Sequence, residues 1–169
     1  AACPLAAQSA EITSARLPLE VGQDAFVALA EMRALLESDP DTDWSRVDLG
    51  ALREHLVDMN HVVLEAEVQE RPVEGGFEAV VTGEGRTLGA IRRMVPAHAR
   101  FAGREPGLSV SVADLPAGDS RGAGVALRVI TADTSAVDRL RGLGFFGFMV
   151  SGDHHRPHHF AMASGLGHP

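Results

Sequence analysis

The spacing of apolar positions changes along this chain. From Gln23 they recur at three and four residues (Phe26, Leu29, Ala30, Met32, Leu35, Leu36), the spacing of one buried helical stripe. Asp24 stands near the positive end of that helix, and Asp39-Pro40 closes it, because the residue before a proline is pushed out of helical conformation. A polar link, 41–48, follows, with Trp44 expected on the edge of the core. Asp48 is the expected N-cap of a second helix from Leu49 to about Asn60, whose stripe is Leu49, Leu52, Leu56 and Met59.

Beyond Asn60 the period falls toward two. Residues 62–69 and 77–82 read as strands, joined by a turn over 71–76, and 87–95 as a helix that Pro96 is expected to end or kink. The pattern then returns, with strands at 108–115 and 125–131, a longer turn at 116–124 and a helix at 135–143. The expected fold class is α+β: two N-terminal helices followed by a duplicated ββα unit. Its sheet would be antiparallel, ferredoxin-like or similar, with helices on one face. Residues 142–149, dense in glycine and phenylalanine, read as a tight turn returning the tail to the core, or as an exposed patch through which the chain dimerises.

At 169 residues the chain is long enough for one well-packed domain, expected over 18–150. Residues 1–17, rich in Ala and Ser, read as a flexible tether, and 151–169 as a separate His-rich segment. The net charge is -8, and all fifteen basic residues are Arg. These arginines are dispersed in an acidic chain, which argues against nucleic acid as a partner. Cys3 is the sole cysteine, so a disulfide framework and Cys-rich zinc sites are excluded. Ala1-Ala2-Cys3 looks like the end of a bacterial lipobox. It implies an exported, periplasmic or extracytoplasmic protein, with a possible membrane tether through lipidated Cys3.

The chemistry concentrates near the C-terminal end. His154, His155, His158 and His159 fall within six positions, after Asp153 and between Met149 and Met162. Neutral imidazole is the commonest transition-metal ligand, and thioethers are soft donors suited to Cu(I). Three further coincidences point the same way. His55/Met59, Met94/His98 and His158/Met162 are each four residues apart, which on a helix places both side chains on one side. His55, Asp58 and His61 also recur at helical spacing, with Asp58 placed to orient a ligating imidazole or to serve as an acid or base.

Phosphate loops, a nucleophile elbow, a covalent-haem motif and a zincin motif are all absent from the sequence. The expected ligands are therefore His154, His155, His158 and His159, with Asp153, His55, His61, His98, Met59, Met94 and Met162 as contributors. Copper is favoured over zinc or haem, in a protein that binds, buffers or delivers the ion. The alternatives are a non-covalent haem carrier with a His/Met axial pair, a metal-dependent enzyme of unknown reaction, and a homodimeric interaction domain that uses no metal.

Overall fold

The computed structural model describes residues 25–152 and 155–166, without the side chains of His155 and Arg156. The expected tether, Cys3, Asp153 and His154 lie outside the described residues. The chain is an α+β fold. Helices α1 (Ala25–Ser38) and α2 (Leu49–Glu65) precede hairpin β1 (Glu67–Val73) and β2 (Gly76–Thr82), then α3 (Gly85–Ala102). Hairpin β3 (Leu108–Leu115) and β4 (Gly124–Thr131) follows, then α4 (Val137–Met149) and α5 (His155–Ala163).

The four strands form one antiparallel sheet in the order β1-β2-β4-β3, so the two ββα units stand side by side through β2 and β4. Alternation sends Phe77, Ala79 and Val81 of β2 to one face, directly opposite Val129, Leu127 and Val125 of β4, and all six are buried. Helices α3 and α4 cover this face, and each crosses to the other unit's hairpin: α3 lies over β3 and β4, α4 over β2 and β1. Two side chains fasten the crossing. Arg92 of α3 donates to the Leu115 carbonyl at the end of β3, and Arg141 of α4 donates to the Val73 and Gly76 carbonyls of the first hairpin.

A second, smaller core lies between α1, α2 and α5, where Met32, Leu36, Leu52, Leu56 and Ala163 are buried together. Helix α2 serves both cores, since Val62 near its end packs into the main one. Among the described residues, no helix is long and apolar enough to cross a membrane.

Several expected boundaries move, each for a tertiary reason. The stretch from Val62 to Glu65 is the last turn of α2 rather than the start of a strand. The local β-preference of paired valines yields to burial of Val62. Strand β1 instead runs on through Arg71, Pro72 and Val73, which Pro72 permits because β1 is an edge strand. Helix α3 passes through Pro96 to Ala102. The lost backbone hydrogen bond is offset by burial of Val95, His98, Ala99 and Ala102.

Helix α4 likewise continues to Met149, across a break at Gly144 (φ 57°, ψ -156°). A Cβ there would stand 2.5 Å from a Glu70 carboxylate oxygen, and that carboxylate accepts the Phe145 N–H at 2.7 Å, capping the resumed helix. Phe145, Phe148 and Met149 are buried in the main core while Leu143 and Phe146 are exposed, so the Gly/Phe segment is divided between core and surface. Phe26 (80% exposed) and Trp44 (58% exposed) stand in solvent rather than on the core.

Candidate metal centre

A cavity of about 810 Å³ lies between α2, α3 and α5, with Met149 of α4 on its wall. Each helix supplies one stripe. From α2 come Ala51, Glu54, His55 and Asp58, at the spacing of a single helical face. From α3 come Met94 and His98, one turn apart, together with Arg93, Arg100 and Phe101, and Arg104 follows just past its end. From α5 come Pro157, His158, Ala161 and Met162. Three histidines and three of the five methionines of the chain thus border one space, carried there by four helices.

The tail reaches this position because α5 is docked at its far end. The Asp48 N–H donates to the Ala163 carbonyl (2.8 Å), and Arg46 Nη2 donates to the Gly165 carbonyl (3.0 Å). Asp48 is also the N-cap of α2, its carboxylate accepting the Ala51 N–H at 2.9 Å, so the start of α2 and the end of α5 are tied at one residue. Pro157 occupies the first turn of α5, where the backbone N–H has no intrahelical partner to lose. His158 and Met162 therefore do share one side of a helix.

Three imidazoles meet at the α2–α5 contact. The His55 ring stands edge-on to His158 (centroids 4.7 Å apart) and to His159 (5.4 Å), and the His158 and His159 centroids are 6.3 Å apart. With metal–nitrogen bonds of about 2.0 Å and tetrahedral angles, the centroids of two rings on one ion stand roughly 5 Å apart. These separations bracket that value. Among the described residues, no three His, Cys, Asp or Glu side chains have the geometry of a metal site. The donor set nonetheless fits a soft ion, because neutral nitrogens and thioethers share the cavity without a thiolate.

His98 is buried (4% exposed) and set further in. Its Nε2 donates to the Phe148 carbonyl at 2.6 Å, while the ring stands perpendicular to Phe148. Because a carbonyl can only accept, Nε2 carries the proton of this bond. A ligating histidine held by a carbonyl is arranged in the same way.

Two expected contributors, Met59 and His61, lie elsewhere. Met59 packs in the small core with Leu52 and Leu56. Four residues turn a helix 40° past His55, enough to cross from the cavity to the neighbouring seam. His61, six residues on, faces another direction. Its Nδ1 is 2.9 Å from Glu65 and 3.2 Å from the Thr87 hydroxyl, joining α2 to α3. Asp58 borders the cavity beside His55, and both of its carboxylate oxygens are engaged in ion pairs. Arg93 holds Oδ2 at 2.7 Å and Arg86 holds Oδ1 at 3.3 Å, which makes Asp58 a clamp between α2 and α3. His155 belongs to α5, but its side chain, with Asp153 and His154, lies outside the described residues.

Met149 and the arginines of α3 escaped sequence reasoning. Met149 adjoins the His-rich segment but lacks a histidine four residues away, and the arginines are dispersed in number. No family model, curated protein or solved structure matches this chain.

Proposed function

We propose that the protein holds a transition metal in the cavity between α2, α3 and α5, copper being the best match for a bare ion. Its work is then binding, buffering or delivery in an extracytoplasmic compartment. The observation that carries this reading is the meeting of His55, His98, His158, Met94, Met149 and Met162 on one cavity. Imidazoles with thioethers and no thiolate suit copper in an oxidising setting, where Cu(I) takes the thioethers and Cu(II) the nitrogens. His55 and His158 supply nitrogens from opposite sides of the α2–α5 contact, and His98 of α3 adds a third imidazole to the lining.

Two guanidinium groups, those of Arg86 and Arg93, hold the Asp58 carboxylate at the cavity wall.

The test is competition titration with a chromophoric Cu(I) chelator. His55→Ala/His158→Ala and Met94→Leu/Met162→Leu should each weaken Cu(I) binding by about tenfold or more, the scale of one lost ligand contact. Far-ultraviolet circular dichroism checks that the fold persists. Equal affinity in wild type and both double variants would remove the cavity as the metal site.

A further inference from the structure

The cavity is large for an ion. About 810 Å³ lies within the range of pockets that bury organic ligands, roughly 300–1,000 Å³. Much of its wall is apolar: Ala51, Ala97, Phe101, Pro157, Ala161 and the methionine side chains. Along one edge, however, α3 sets Arg93 and, two turns on, Arg100, with Arg104 just past the end of the helix, and these arginines are the cations of the lining. The lining anions are Glu54 and Asp58, and Arg86 and Arg93 already bind them. Among the described residues, the Arg100 and Arg104 guanidinium groups pair with no carboxylate. A protein of net charge -8 thus presents a locally positive edge beside an apolar cavity that bears metal donors.

That arrangement fits one ligand chemistry. We infer that the cavity accepts a metallated tetrapyrrole of the haem type, its ring among the apolar side chains and its carboxylates on Arg100 and Arg104. Guanidinium groups bind carboxylates through paired, charge-assisted hydrogen bonds, and their flat faces tolerate a neighbouring ring. The imidazoles and thioethers on facing helices are the axial donors, a His/Met pair being one that haem iron takes. The inference rests on the reading of the cavity as a metal site, because those same donors would grip the iron.

The experiment compares three probes on the full chain by Soret titration: ferric haem, its dimethyl ester and metal-free protoporphyrin. Esterification removes the carboxylate charge and leaves the ring and iron unchanged. Haem should bind about tenfold or more tighter than its ester, the scale of a charge-assisted contact. In Arg100→Gln/Arg104→Gln the ratio should fall toward one. Both arginines are exposed, so this variant keeps the fold, as circular dichroism will check.

Equal binding of haem and ester, or of neither, overturns the inference. So does an acid preference that survives in the arginine variant. Protoporphyrin binding as tightly as haem overturns the metal-ligated form of it. Cu(I) competition on the same preparation separates the two readings: Cu(I) affinity that depends on His55 and His158, without haem selectivity, leaves the ion site standing and removes the tetrapyrrole.

Discussion

His98 shows how one side chain joins core and site. Its ring lies on Phe148 and its Nε2–H on the Phe148 carbonyl, so it packs and donates at the same place. His98→Ala removes buried ring surface and leaves that carbonyl without its imidazole donor. The expected cost is about 2–4 kcal/mol, measured by urea denaturation of the metal-free protein. A cost near zero would mean that the ring is not seated between α3 and α4. His55 and Met59 teach the complementary point. They are one turn apart, yet α2 touches a cavity on one side and a core on the next. The 40° between them decides which borders the cavity and which packs in the core.

Among the elements, α4 carries the clearest strain. Gly144 adopts a backbone conformation essentially closed to residues with a Cβ, and Glu70 of β1 occupies the space a Cβ would take. Gly144→Ala should therefore destabilise the fold by about 2 kcal/mol or more in chemical denaturation. Glu70→Ala in the same chain relieves the crowding but removes the cap on the Phe145 N–H, so the double variant should stay well below wild type. Full rescue would show that crowding alone, without backbone strain, excludes alanine. The break also sets the site, because it turns Phe145, Phe148 and Met149 inward and brings the chain to the cavity before α5 begins.

For the whole molecule, acid should separate metal release from unfolding. Several carboxyls sit below their ordinary range. Arg86 holds Glu54 there by a hydrogen bond, the Thr87 hydroxyl and then His61 hold Glu65, Arg121 holds Asp119, and the Ser135 hydroxyl holds Asp133. A carboxyl whose value is lowered on folding adds stability above its unfolded value, and that stability is lost as pH falls through the lowered one. The melting temperature should thus hold steady down to about pH 5 and drop below about pH 4. On the proposed reading acid competes with the metal for the imidazoles, which ligate only when neutral, so metal should leave while the chain is still folded. Thermal melts read beside bound-metal analysis across pH 7 to 3 will test the order. Copper retained by the folded protein at pH 4.5 would sink the histidine-centred site.

What the sequence determined by itself is local: the helix start at Asp48, the alternation of β2 and β4, the doubled ββα plan, and the His158/Met162 pair on one helical side. Each depends on neighbours a few residues apart, and short-range periodicity records that directly. Only the tertiary structure decided that α2 should run through Val62, that α3 should pass Pro96, and that α4 should bend at Gly144. In each case burial outweighs the local preference. It alone also decided the site. His55, Met94, His98, Met149 and His158 are distant in sequence, and they meet because α5 folds back and is tied to Asp48 and Arg46. The direction of a side chain around a helix matters only once the neighbouring helices are in place, so the division of α2 between cavity and core could not be read from spacing.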